Sequence, residues 1–424
     1  MKTFRTLALI ASLTLTLAAS AANPEVPRYT FAQCEGSLMP YPEPAHPIEY
    51  PDSLVPVFIN HVGRHGARYP ASSANCLALR KALEQADSAG TITPLGRKLA
   101  RLNEEVIRQS NNRWGALDSL GIAEQQGIAS RMFLAYTEVF SKEGVVEALS
   151  SYSPRAMMSM YAFTHQLDRL NNRMNFTTST GRINSKLMRP FDLDKDYLDF
   201  RKEKSYAPTY DSFFASTCPR SAIRRALGER FPFKDEAHER ELAITEYYVV
   251  AGLEAMGLPS AMATYFTREE AQDLWSCFNM RQYLQRTATT ISTIPADIAS
   301  DLVLNLIETT DNYISNPTES PRAILRFGHA ETLMPLLSLL HFPGCYYLTN
   351  YFDTVAGQWR DFDVVPMAAN VQFIVFQARQ SGRYYVRVDL NEHPVALRKG
   401  DNSLYYQWGE LRRYMMNCVP LYAQ

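Results

Sequence analysis

Val57-Phe58-Ile59-Asn60-His61-Val62-Gly63-Arg64-His65-Gly66-Ala67-Arg68-Tyr69-Pro70 is the stretch from which the fold is read. Val57 to Val62 is short, apolar and branched, the pattern of a buried strand. It ends in a histidine flanked by two arginines. Arg64 and Arg68 offer planar donor forks suited to a phosphoryl group, and Gly66 lets the backbone bend tightly beside a ligand. His65 is then the side chain able to attack phosphorus as a covalent nucleophile. An isolated Arg-His-Gly is more often a basic surface loop; the full seven-residue run needs a partner elsewhere in the chain to exclude that.

Two later stretches supply it. Val145 to Ser150 reads as a strand followed by Ser153-Pro154-Arg155, where Ser153 caps a helix with Pro154 in its first position. Arg155 in that first turn opposes the helix dipole, so it is either a solvated helix-end arginine or a third phosphate ligand; beside the other two stretches the second reading is preferred. Ala323 to Phe327 is again a short buried strand, running through Gly328-His329-Ala330-Glu331 into a helix from Thr332 to Leu340. Three strand-to-helix junctions thus carry residues able to handle phosphate, and open α/β sheets bind ligands at such carboxyl ends.

The remaining chain frames these junctions. Residues 23–56, rich in proline and aromatic residues, read as an extended surface arm. Ser72 to Asp87 and Asp118 to Phe140 read as helices, as does a stretch opened by Thr93-Pro94 with Leu95, Leu99, Leu102 and Val106 on one face. Val371 to Ala378 and Arg383 to Leu390 form a hairpin turning at Ser381-Gly382. From 181 to 290 strand-like runs become scarce, and Arg182, Lys186, Arg189, Arg201, Lys202 and Lys204 crowd together. This is read as an inserted helical cap with one basic edge facing the site. The expected division is 1–22 signal peptide, 23–180 and 291–424 the two parts of an α/β domain, and 181–290 the cap.

With 424 residues and 46% apolar content, the chain can bury a large core. A net charge of -1 argues against nucleic acid as partner. Lys2 and Arg5, the apolar Leu7 to Leu17 and the small residues Ala18 to Ala22 read as a secretory signal, which implies export to the periplasm or medium. No stretch is long enough for a membrane span. Removal of the two leader cations leaves 41 Lys+Arg against 44 Asp+Glu. Six cysteines in an oxidising compartment imply up to three disulfides, with fifteen possible pairings. Cys218 with Cys277 is one candidate pair, and the spacings fit no zinc pattern.

In chemical terms, neutral His65 attacks phosphorus while a backbone carbonyl, that of Gly66 being the candidate, holds its other ring nitrogen. Arg64, Arg68 and Arg155 surround the phosphoryl group and His329 adds a hydrogen bond. Glu331 protonates the leaving oxygen and then serves as base for water. This scheme calls for no metal or other cofactor. Ala67, Arg182, Arg189, Lys202 and Lys204 are further candidates for contact with a small anionic substrate.

The run Arg64 to Pro70 resembles the signature of the histidine acid phosphatases, the clade 2 histidine phosphatases that include phytases. His329-Ala330-Glu331 replaces their more usual His-Asp and is similar to the multiple inositol polyphosphate phosphatase branch. Ile324 to Leu336, Leu187 to Asp192, Pro366 to Asn370 and Leu390 to Val395 carry the resemblance across most of the mature chain. It implies a Rossmann-like α/β domain with a central mixed sheet and an α-helical cap. It also implies a phosphohistidine intermediate and hydrolysis of inositol hexakisphosphate and lower phosphates. By position, His65 matches the nucleophile, Arg64, Arg68, Arg155 and His329 the phosphate ligands, and Glu331 the acid. A broad acid or sugar phosphatase is the nearest alternative; a non-catalytic phosphate binder would be expected to lack His65 or Glu331. The sequence leaves the order of phosphate removal, the oligomeric state and cap mobility open.

Overall fold

The computed structural model describes residues 27–45, 49–141, 143–398 and 400–423. The expected signal segment lies outside them. Eight strands form one mixed sheet: β1 (Leu54–Arg64), β2 (Gly144–Ser150), β3 (Met174–Ser179), β4 (Ala323–Gly328), β5 (Asn370–Ala378), β6 (Tyr384–Leu390), β7 (His393–Pro394) and β8 (Tyr406–Gln407). Their order is β3-β2-β4-β1-β5-β6-β7, with β8 pairing β6. β1 is parallel to β4, with Arg64 opposite Gly328, and β2 is parallel to β4, with Ser150 opposite Phe327. The three junctions therefore open at the same edge of the sheet. β5 runs antiparallel to β1 and returns as β6 across the expected turn, where Gly382 has φ 67°.

Side chains alternate across a strand, and this alternation builds two cores. Phe58 and Val62 of β1 join Val371, Phe373 and Val375 of β5 under helices Ser300–Ser315, Ala330–Leu339 and Trp408–Cys418. Ile59, Ile374 and Phe376 face the other way, onto helices Ser119–Ala135 and Pro154–Leu170. Tyr136 ends the first of these helices, its buried hydroxyl accepting from Arg387 Nη2 at 2.7 Å and donating to Asp389. The expected single helix from Asp118 to Phe140 is therefore broken there.

A third core is purely helical. Leu79, Leu83, Leu99 and Val106, from helices Ala74–Ser88 and Pro94–Ser110, pack with Ile223, Leu227, Leu242, Tyr247 and Trp275. Thr93 caps the second of these, accepting from Gly96 N at 3.1 Å. No described residue from 181 to 290 is in a strand, so the large helical insertion is present, packed against two helices that precede β2.

Two expectations are corrected. The arm is no loose surface segment: Tyr29, Cys34, Glu35, Gly36, Ser37 and Tyr41 are buried, because the Gln33–Leu38 turn is inserted between the helical core and Asp361. And all six cysteines are free thiols, where up to three disulfides were expected. Burial pushes the Cys34 thiol up to about 12 and the Cys76 thiol up to about 11, so they behave as small apolar groups. Cys218 and Cys277 are hydrogen-bonded neighbours in the helical core.

Candidate active site

The end of β1 is fixed by its neighbours on both sides. Arg64 N donates to Ala369 O at 2.7 Å, His65 N to Gly328 O at 3.1 Å, and Ala368 N to His65 O at 3.1 Å. Gly66 then passes the Ser119–Ala135 helix so closely that an added Cβ would lie 2.4 Å from Gly121 O. Close approach to that helix, rather than to a ligand, is what requires glycine here. Gly66→Ala is expected to cost about 1–3 kcal/mol by overpacking and to lower turnover, because His65 must move with it; melting temperature and kcat check this.

The same helix holds the loop with two polar side chains that the sequence reading passed over. Glu124 accepts from Ala67 N at 2.7 Å and Tyr41 N at 2.8 Å, and Gln125 Nε2 donates to Arg64 O at 3.0 Å. Burial raises the Glu124 carboxyl to about 7. Their signal was available: Gly121, Glu124, Gln125 and Ile128 share one helical face, and buried polar residues on an apolar face need partners. Ala67, expected to touch substrate, is instead fully buried with its N–H on Glu124 and its carbonyl on Asp118 N.

His65 Nδ1 lies 2.9 Å from Gly66 O. A carbonyl only accepts, so Nδ1 carries the proton and Nε2 keeps its lone pair. Burial, then the nearby Arg155, Arg64 and Arg68, hold this imidazole well below its ordinary range and keep it neutral. Its ring centroid lies 5.6 Å from that of His329, edge to face. His329 caps the Ala330–Leu339 helix, and its Nε2 receives Arg189 Nη1 at 2.9 Å beside Ser151 Oγ at 2.9 Å. On the other side of the ring, Nδ1 lies 3.4 Å from Arg155 Nη2; both arginines only donate, so guanidinium donors face both ring nitrogens.

The three arginines are tethered through some nitrogens and unoccupied at others. Arg64 Nη1 donates to Ser37 O at 2.6 Å and Val365 O at 2.5 Å, and Arg68 Nη1 to Tyr69 O at 2.8 Å. The Nε groups of Arg64, Arg68 and Arg155 are buried with no hydrogen-bond partner among the described residues. Burial pushes Arg64 down to about 10; burial and mutual repulsion push Arg68 down to about 9. A cluster whose charges are this unfavourable together is relieved by an anion.

All three line one cavity of 360 Å³ with His65 and Glu331. Glu331 has 33% of its side chain exposed, and Arg286 Nη2 lies 3.1 Å from its Oε1. Burial favours the neutral acid, yet Arg286 and the cations behind it hold the carboxyl well below the usual carboxylate range. The far wall comes from Tyr248, Gly252 and Ala255, and from Phe278, Arg281 and Gln282 of the Arg268–Arg286 helix.

The basic edge expected at 182–206 does not face this cavity. Lys202 and Lys204 are exposed at the end of the Lys195–Glu203 helix, where the dipole favours cations. Arg182 is exposed and stacks over Tyr152, its guanidinium carbon 4.6 Å from the ring centroid. Arg189 reaches the site through His329 and is not part of the cavity lining; its Nε is paired with Asp192 at 2.6 Å. Arg281 lines the cavity instead, and Arg286 reaches it through Glu331 as Arg189 does through His329.

Over 383 residues the chain is 24% identical to multiple inositol polyphosphate phosphatase 1 of Gallus gallus, covering 87% of this chain and 84% of that one. The Homo sapiens protein of the same name is 25% identical over 384 residues, covering 83% and 78%. Among solved structures, the Bifidobacterium longum multiple inositol polyphosphate phosphatase in complex with inositol hexasulfate superposes with TM-score 0.77 at 18% identity, covering 92% of this chain and 99% of that one. The D. castellii phytase gives TM-score 0.73 at 16% identity over 95% and 89%. Residues 57–391, from β1 through the turn after β6, match the family described as the histidine phosphatase superfamily, branch 2, and the chain belongs to that family of phosphatases.

Proposed function

We propose that the chain is an exported phosphomonoesterase that hydrolyses inositol polyphosphates, inositol hexakisphosphate among them, through a phosphohistidine at His65. The observation that carries this reading is the neutral His65, its Nε2 free, set among Arg64, Arg68 and Arg155 whose Nε donors are unoccupied. In the first step the Nε2 lone pair attacks phosphorus. The P–O ester bond breaks and the leaving oxygen takes the Glu331 proton. In the second, water attacks phosphorus and gives its proton to Glu331; the P–N bond breaks and His65 returns neutral. Arg64, Arg68, Arg155 and His329 stabilise the equatorial oxygens throughout.

Glu331 is ionised beside Arg286 before substrate arrives. Phosphate dianions entering the cavity draw on the same cations and raise its pKa, so substrate loads the acid. A substrate with several phosphates does this best, and Arg281 on the far wall offers a second cationic contact. The names of the two animal relatives and the inositol hexasulfate complex point to the same substrate class. Residues 181–290 act as the cap in this reading, and the leader reading of residues 1–22 supports export. Inositol phosphates separated during a time course on inositol hexakisphosphate should show successive loss of phosphates, with kcat/KM at least tenfold above that for p-nitrophenyl phosphate. A lower value on the inositol substrate would favour a broad acid phosphatase.

A further inference from the structure

The guanidinium of Arg64 is aimed by two carbonyls, one in a residue held by the buried Asp361 carboxylate and the other in a residue held by the main chain of Asp361. Ser37 O and Val365 O each accept from Arg64 Nη1, at 2.6 and 2.5 Å. Ser37 N donates to Asp361 Oδ2 at 2.9 Å, and Val365 N donates to Asp361 O at 2.8 Å. Asp361 is fully buried; its other oxygen accepts from Trp275 Nε1 at 2.8 Å, and its own N–H goes to Asn279 Oδ1 at 2.9 Å. Asn279 in turn donates to Trp359 O at 2.8 Å.

Every polar group of this residue is therefore committed, and each bond has an evident direction. The arm turn is pressed against the same carboxylate: an added Cβ at Gly36 would lie 2.9 Å from Asp361 Oδ2, and Gly36 has φ 61°. Trp275 and Asn279 are four residues apart on one face of the Arg268–Arg286 helix. The last residue of that helix pairs with Glu331. One helix thus sets both the cation beside His65 and the partner of the acid.

We propose that the Asp361 carboxylate is the positioning group for Arg64: by holding Ser37 N it fixes Ser37 O, beside Val365 O, which the main chain of residue 361 holds, and so leaves Arg64 Nε directed at the transferring phosphoryl group. The proposal rests on the reading of Arg64 as a phosphate ligand. It makes the arm, residues 33–38, part of the phosphate site, although no side chain of the arm is assigned to the chemistry. Asp361→Asn can accept from only one of Ser37 N and Trp275 Nε1, and its amide meets the other donor head-on. A displacement of about 1 Å at a positioned group costs on the order of 10²-fold in rate.

The test is a double-mutant cycle between Asp361→Asn and Arg64→Lys, with p-nitrophenyl phosphate turnover and inhibition by inorganic phosphate as readouts. Asp361→Asn alone is expected to lower kcat/KM roughly 10- to 100-fold and weaken phosphate inhibition. In the Arg64→Lys background the same change should alter kcat/KM less than about threefold, while lowering the melting temperature equally in both backgrounds. Equal rate losses in the two backgrounds, or no loss from Asp361→Asn, overturns the proposal. If Arg64→Lys leaves phosphate inhibition unchanged, the reading of Arg64 itself fails and the proposal with it. Should Asp361→Asn not fold, Trp275→Phe takes its place in the cycle: it frees one Asp361 oxygen and should lower kcat/KM severalfold only where Arg64 is present. An equal loss in both backgrounds overturns the proposal in that form too.

Discussion

His65→Ala should abolish phosphate release from inositol hexakisphosphate and p-nitrophenyl phosphate alike, by roughly 10⁴-fold or more, while the fold stays within about 2 kcal/mol of wild type. The asymmetry follows from what the side chain does. Its Nδ1–H is bonded to the carbonyl of its own neighbour, Gly66, and no element of the sheet depends on that bond. The backbone of residue 65, by contrast, is held on both sides by Gly328 O and Ala368 N, and alanine keeps those bonds. Removing the imidazole leaves the three arginines in place, so inorganic phosphate should still bind and inhibit any residual turnover. Turnover within tenfold of wild type would mean that water attacks the ester directly, with the arginines alone as catalysts.

Glu331→Gln should lower kcat/KM for alkyl phosphates by about 10²- to 10⁴-fold and for aryl phosphates by less than about tenfold. An aryl oxide leaves without help; an inositol alkoxide does not. kcat/KM is the relevant quantity because it reports the steps through phosphoryl transfer to His65 and is blind to the later attack of water. The pH dependence separates the two groups. Burial and the arginines hold His65 well below the ordinary imidazole range, so the nucleophile is still neutral under acid conditions that favour protonated Glu331. kcat on alkyl phosphates, which reports groups in the substrate complex, should therefore fall as pH rises through the raised pKa of Glu331 there. In the glutamine variant that limb should disappear. Equal slowing of both ester classes, or an unchanged limb, would remove Glu331 from the acid role.

Much of this site was legible because its chemistry sits where local patterns are strongest. β1, β2 and β4 are apolar runs bounded by polar, turn-forming residues, and their parallel pairing follows once helices separate them in sequence. The hairpin at Gly382 was read from two strand-like runs and the Ser381-Gly382 turn between them. Less was legible where a residue's meaning depends on which way its helix faces. Lys202 and Arg281 are alike in composition terms; one ends a solvated helix and the other lines the cavity, and only packing decides which. Glu124 and Asp361 were missed for a related reason: each is an acidic residue whose partners include backbone N–H groups distant in sequence. The arm misled because proline and aromatic residues read as surface extension, whereas here the Tyr29 hydroxyl and the Cys34 carbonyl are drawn into the helical core by Ala356 O and Tyr247. The cysteines misled because an even count does not fix bonding: Cys218 and Cys277 are neighbours, yet both are thiols.

The most direct measurement is the mass of the His65 peptide after turnover is stopped in alkali, where phosphohistidine survives. Glu331→Gln with an aryl phosphate is the favourable case, since the first step needs little acid and the second has lost its base. A phosphoryl group on His65, absent from the substrate-free enzyme and accumulating faster than phosphate is released, is the predicted result. An unmodified His65 under steady turnover, or a phosphoryl group carried by a different residue, would contradict the account.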